Sequence, residues 1–369
     1  MPRFRDLGLS VGALPTGPLN ALTDVPGVRV GHTTLVQGDG ALRVGEGPVR
    51  TGVTAIHPHE GSVFRDTVPA AIQILNGAGE ITGRSQIDEY GLMESPLVLT
   101  NTLSVGVAHR ATVDWLVATE GMADDFVIPV IAETYDGFLN DIAGQHVRPE
   151  HVRAALDSAS TGPIAEGSVG GGTGMALFQL KGGIGTSSRV VELGGVAHTV
   201  GVLVQGNYGH RHQLRVDGVP VGRVIDDLMP IRNSPQAKEG SIVVVIGTDV
   251  PLSDRQLARL ARRGMLGIGR TGSAAGHGSG DLLLAFSNAP SVRVRRPGPA
   301  WNRRVDPWVV APRLHDAYID LVFEAVVEAT EEAILNAMVA ADTMVGRDGN
   351  TLYGLPHDRL CEVMSRHGR

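Results

Sequence analysis

The stretch "QAKEGSIVVVIGTD" (236–249) places a small hydroxyl residue, Ser241, between Gly240 and five consecutive β-branched residues, Ile242 to Ile246. The apolar run predicts a buried strand, and the Gly-Ser pair before it predicts a turn. A serine there is either an ordinary strand start or a nucleophile, and the second role needs a base, because a neutral hydroxyl is a poor nucleophile. Two histidine pairs, His57/His59 in "HPHE" and His210/His212 in "GHRH", supply imidazoles. Neither pair comes with a carboxylate or cysteine set at ligand spacing, so both read as loop or surface histidines and no metal site is expected.

Two glycine motifs suggest nucleotide chemistry and fail on context. "GIGRTG" (267–272) matches G-x-G-x-x-G. A predicted helix precedes it and a Gly/Ser loop follows, which reverses the strand–turn–helix order that a dinucleotide site requires. "GSVGGGTGM" (167–175) has no lysine placed for phosphates and reads as a closely packed backbone segment. No G-x-S-x-G elbow occurs, so an α/β-hydrolase triad has no support. No cofactor is expected.

The elements that must carry these residues are mostly short and apolar. "TGVTAIHP" (51–58), "PAAIQILNG" (69–77), "PLVLTNT" (96–102) and "DFVIPVIAET" (125–134) read as buried strands bounded by Gly, Pro or Asn. Further strands are expected between 174 and 209, at 241–249 and at 280–288, with a hairpin turning at Asp217-Gly218. Helical spacing is found over 107–121, 148–159, 315–340 and the segment after Ser253. In that last helix Ser253 and Gln256 form a capping box and Gly264 is the expected stop. In the long helix, Val322, Val326, Ala329, Ala333 and Ala337 share a stripe, with Glu324, Glu328, Glu331 and Glu332 mostly elsewhere. Strands in runs and helices in runs predict an α+β layered sandwich.

Composition bounds the partners. The chain has 369 residues, 42% hydrophobic and 19% charged, which is a globular balance with enough length for a sizeable core. A formal charge of −7 argues against general nucleic-acid binding. No segment approaches the roughly 18 apolar residues of a membrane span. The N-terminus "MPRFRDLGLSVGALPTG" has no continuous apolar region, so no signal peptide is expected. A single cysteine, Cys361, forbids an intrachain disulfide, and a cytoplasmic protein is the expectation.

Several blocks, in order, resemble one family. "DVPGVRVGHTTL" (24–35), "ETYDGFLNDI" (133–142), "EGSVGGGTGM" (166–175), "KGGIGTSSR" (181–189), "VQGNYG" (204–209), "GSIVVVIGTDVPLSDRQLARLARR" (240–263) and "GSGDLLLAFS" (278–287) are similar to the DmpA family, peptidase family S58. That family comprises L-aminopeptidase/D-esterases and β-peptidyl aminopeptidases. The resemblance implies an αββα four-layer sandwich like that of the Ntn hydrolases, formed by one catalytic domain over 1–369. It also implies self-processing between Gly240 and Ser241 into an α chain of 1–240 and a β chain of 241–369, with Ser241 as N-terminal nucleophile. The free α-amine thus exposed has a pKa near 8 and can serve as the missing base.

The same resemblance assigns further residues. Asn207 matches the oxyanion-stabilising asparagine and Tyr135 the tyrosine beside the nucleophile. Ser279 and Asp281 match the pair that orients the new amine, and some relatives carry Glu where Asp281 stands. Glu133 matches the carboxylate that grips the substrate's amino terminus, and on an extended segment it would face the same side as Tyr135. The implied substrates are short peptides, amides or esters, and the implied assembly is a homo-oligomer, a tetramer. Two other readings predict different behaviour. An acyltransferase like the ornithine acetyltransferases would cut before a threonine, and a non-catalytic small-molecule binder would stay intact.

Overall fold

Residues 2–122, 125–233, 240–296, 308 and 310–369 are described by a computed structural model. Strands β1 (Arg29–Gln37), β2 (Val49–His57), β3 (Asp66–Gly77), β4 (Leu92–Met93), β5 (Leu97–Asn101) and β6 (Val130–Thr134) come first. Then follow β7 (Ala176–Leu177), β8 (Leu180–Lys181), β9 (Ile184–Leu193), β10 (Val196–Asn207), β11 (Ser241–Thr248), β12 (Gly280–Ser287), β13 (Val294–Arg295), β14 (Met344–Val345) and β15 (Thr351–Leu352). The helices are α1 (Arg84–Tyr90), α2 (Val105–Glu120), α3 (Pro149–Asp157), α4 (Asp254–Arg270), α5 (Ile319–Val339) and α6 (His357–Arg366).

Two sheets stack face to face. One runs β1-β2-β5-β6; the other runs β13-β3-β12-β11-β10-β9 with β4 on its side. The sequence of β11 shows why both of its faces are covered. Ile242, Val244 and Ile246 point to the layer of α4 and α5, whereas Val243 and Val245 join Leu99, Val130 and Ala132 between the sheets. A strand buried on both faces has no polar alternation to display, hence the unbroken β-branched run. On the far side of the first sheet, Val53, Ala55, Val98 and Ile131 pack on Ala108 and Ala111 of α2 and on Val152, Ala155 and Leu156 of α3. The four layers are α2/α3, sheet, sheet and α4/α5, the αββα order expected.

Three local expectations change. The turn at Asp217-Gly218 forms, with φ of 48° and 78°, but it closes a single bridge between Val216 and Val219 rather than a hairpin. Before it, the Arg215 N–H bonds the Thr271 carbonyl. After it, Pro220 has no N–H to offer a ladder and leads into a short 3-10 turn.

Gly264 does not end its helix. The Ser253–Gln256 box caps α4 as expected, but the helix continues to Arg270. A Cβ at Gly264 would stand 2.7 Å from Leu283, so the glycine lets α4 sit close on the sheet.

The acidic residues of α5 divide between surface and interior, and Glu324 is exposed. Glu328, Glu331 and Glu332 are all buried. Glu332 binds Arg5 (2.7 Å) and Arg189 (2.7 Å), and Glu328 binds Arg189 (2.9 Å) and the N–H groups of Ala13 and Leu14. Burial alone would raise the Glu332 carboxyl; Arg5 and Arg189 outweigh it and hold the group below its usual range.

Candidate active site

Strand register brings the predicted residues together. β10 and β11 are antiparallel with Asn207 opposite Ser241, the last residue of one strand and the first of the next. β11 and β12 are parallel with Ile242 beside Asp281. The chain enters β11 through Gly240, where a Cβ would stand only 1.6 Å from the Asn207 carbonyl oxygen and 2.7 Å from Tyr208 Cα. No residue with a side chain fits at 240 in this backbone.

Each side chain is held by the end of an element. Ser241, 4% exposed, accepts a hydrogen bond from the Gly280 N–H at 3.3 Å. Ser279 donates to Asp281 Oδ1 at 2.6 Å, and Asn76 on β3 donates to Asp281 Oδ2 at 3.0 Å. Burial pushes the Asp281 carboxyl above its usual range, and these donors, with the Ile242 N–H, only partly oppose it. Asn207 is locked in one orientation. Its Oδ1 accepts from the Ala176 N–H at 2.8 Å and its Nδ2 donates to the Tyr135 carbonyl at 2.8 Å. An amide nitrogen carries two hydrogens, so one remains for a second acceptor.

A cavity of about 140 Å³ opens at this junction. Tyr135, Asn207, Gly240 and Ser279 line it, together with Phe138, Gln179, His210, Gln213, Arg232 and Leu352 among others. Asp281 is buried behind Ser279.

Glu133 does not line the cavity. Strand β6 ends at Thr134, so the alternation expected to align Glu133 with Tyr135 stops one residue short. The Glu133 carboxylate, 2% exposed, accepts from the Glu80 N–H at 3.0 Å and from the Thr102 hydroxyl. It approaches Gly79 where that residue meets Gly280, whose N–H contacts Ser241. Arg189 pairs with Glu328 and Glu332 of α5 rather than with Glu133.

Sequence reasoning missed several contributors. Asn76 ends an ordinary-looking strand, and nothing local marks it as the partner of Asp281. Phe138, four residues before Ile142 in the quoted block, was legible only as part of that block. His210 reads as a loop histidine, yet it lines the cavity and stacks on His212. His57 and His59 are buried and bond the backbone carbonyls of Leu156 and Asp66, which is a structural use. The glycines of 170–172 form a buried 3-10 turn, the close-packed segment expected.

The chain is similar to known proteins over its whole length. Its residues 20–352 match the model of peptidase family S58. It is 46% identical over 375 residues to the β-peptidyl aminopeptidase BapA of Sphingosinicella xenopeptidilytica, covering 98% of this chain and 91% of the relative. Among solved structures it resembles the L-aminopeptidase D-Ala-esterase/amidase of Ochrobactrum anthropi, with a TM-score of 0.91, 45% identity and coverage of 100% and 99%. That protein is described as a prototype for the serine aminopeptidases and a variant of the Ntn hydrolase fold. A Burkholderia sp. β-aminopeptidase matches at a TM-score of 0.89 and 44% identity, covering 100% of this chain and 99% of that one. With the family model matched over most of its length and these relatives sharing its αββα sandwich, the chain belongs to peptidase family S58 and is a serine-type aminopeptidase.

Proposed function

We propose that the chain cuts itself between Gly240 and Ser241 and that the new N-terminal Ser241 then removes N-terminal residues from short peptides, amides or esters. In the first step the Ser241 hydroxyl attacks the Gly240 carbonyl. The peptide C–N bond breaks, the Ser241 nitrogen takes the proton, and water hydrolyses the resulting ester to a Gly240 carboxylate and a free hydroxyl. In turnover, the Ser241 amine accepts the hydroxyl proton as it attacks the substrate carbonyl. The proton passes to the leaving amine, and water releases the acyl group.

One observation carries this reading: Asn207 faces Ser241 across the β10–β11 pair, in the cavity that Gly240 also lines. There the second Asn207 N–H would meet the negative charge that develops on the carbonyl oxygen. Ser279 and Asp281 would orient the new amine, and Tyr135 would donate a hydrogen bond to the same centre. Glu133 would take the substrate's own ammonium, its place beside Gly79 and Gly280 keeping it near the nucleophile. A homotetramer and a cytoplasmic location belong to the same reading, the first from the family resemblance and the second from the single cysteine.

Amine recognition is tested by comparing a free-amino peptide amide with its N-acetyl analogue. A strong preference for the free amine in kcat/KM, lost in Glu133→Gln, is the expected outcome. Equal kcat/KM for the two substrates would remove Glu133 from the substrate.

A further inference from the structure

The lining of the cavity carries a cation, Arg232, that none of the steps above uses. Arg232 is exposed, and its guanidinium lies over the Phe138 ring, 5.1 Å from the centroid, with both residues lining the cavity. Its position is built rather than incidental. On one side of it, Ile231 exchanges backbone hydrogen bonds with Thr351 (3.1 and 3.0 Å). On the other, the Asn233 N–H donates to Asn350 Oδ1 at 2.8 Å, and Asn350 Nδ2 donates to the Phe138 carbonyl at 2.9 Å. Phe138 stands three residues after Tyr135, so one loop carries both that tyrosine and the seat of Arg232.

The charge around it is unbalanced. No carboxylate occurs among the described residues that line the cavity, although the chain as a whole carries −7. An aromatic face holds a guanidinium without neutralising it and leaves its N–H fork free to meet a carboxylate. We propose that Arg232 binds a carboxylate of the substrate and thereby makes the enzyme selective for it. The favoured source is the C-terminal carboxylate of a short peptide. With the substrate's ammonium at Glu133, outside the cavity, and its scissile carbonyl at Ser241, the leaving half would occupy the cavity that Arg232 lines. The other source is an acidic side chain on the N-terminal residue. This inference rests on the aminopeptidase reading of the cavity and names the substrate class within it.

Two substrate pairs test it on the processed enzyme: a dipeptide as free acid and as C-terminal amide, and an N-terminal Asp and Asn residue on the same amide. The expected result is a kcat/KM advantage of about tenfold for the free acid, the size of one charge-assisted hydrogen bond. The advantage shrinks with added salt, because the cation is exposed to solvent. In Arg232→Gln the acid/amide ratio falls toward one. An advantage in the Asp/Asn pair instead, again lost in Arg232→Gln, would assign the carboxylate to the acyl side. No advantage in either pair, or one that survives in Arg232→Gln, would overturn the proposal. Equal loss on acid and amide in the variant would also overturn it, since that is the mark of a structural residue. If the processed enzyme cleaved none of the four substrates, the aminopeptidase reading would fall first and this inference with it.

Discussion

Asn207, the proposed oxyanion donor, is held in advance of any substrate. Both ends of its amide are fixed, by the Ala176 N–H and the Tyr135 carbonyl, so the remaining N–H has one direction. A donor arranged in advance stabilises the charge that appears only in the transition state, and its removal should act on kcat more than on KM. Asn207→Ala is expected to lower kcat by about 10²–10³-fold in processed enzyme, with little change in KM. Near-wild-type turnover would make Asn207 a residue that merely closes the end of β10. At this scale much was readable in advance. Ser241, Asn207, Tyr135, Ser279 and Asp281 sit in distinctive blocks, and the structure gathers them at one junction. Asn76 and Arg232 were not readable, because their meaning comes from partners hundreds of residues away or on another loop. Lys181 was equally silent: it is fully buried, bonds the carbonyls of Met175 (2.9 Å) and Gly182 (2.6 Å), and burial lowers its pKa to about 7.

Element boundaries followed local signals where those signals act alone. The capping box at Ser253 starts α4, and Pro149 opens α3, as their chemistry predicts. The signals failed where tertiary packing took over. Gly264 is a close-approach residue and not a stop, and Glu328 and Glu332 of α5 face inward, where Arg5 and Arg189 meet them. A helical stripe of alanines and valines cannot announce that its opposite face is also covered. The consequence is measurable. Glu332 side chain is wholly buried, so Glu332→Gln strands part of two guanidinium charges and should cost about 3 kcal/mol or more of unfolding free energy. The exposed Arg366–Glu362 pair on α6 is the control, and Arg366→Ala should cost less than about 1 kcal/mol. Equal effects in a denaturant titration would mean that the buried cluster does not hold α5.

At the scale of the whole molecule, the proposed cut would not separate two domains. The larger sheet interleaves strands from both sides of position 240: β11 lies between β10 and β12, and β12 pairs with β3. The α5 cluster joins Glu328 and Glu332 to Arg5, Asn20 and Arg189, again across the cut. Two chains held by a shared sheet and a buried ion network can stay one folded body while Ser241 gains a free amine. That layering was legible from runs of apolar strands and runs of helices, while the interleaving was not, since pairing partners are set by long-range register. On the proposed mechanism, Ser241 becomes a nucleophile only by cleavage of its own bond to Gly240. Intact-mass measurement of the purified protein, beside Ser241→Ala, tests it most directly. Two fragments are expected for the wild type, residues 1–240 and 241–369 before any loss of Met1, and a single inactive chain for the variant. A wild type that stays whole yet hydrolyses substrate, or a Ser241→Ala protein that remains active, would contradict it.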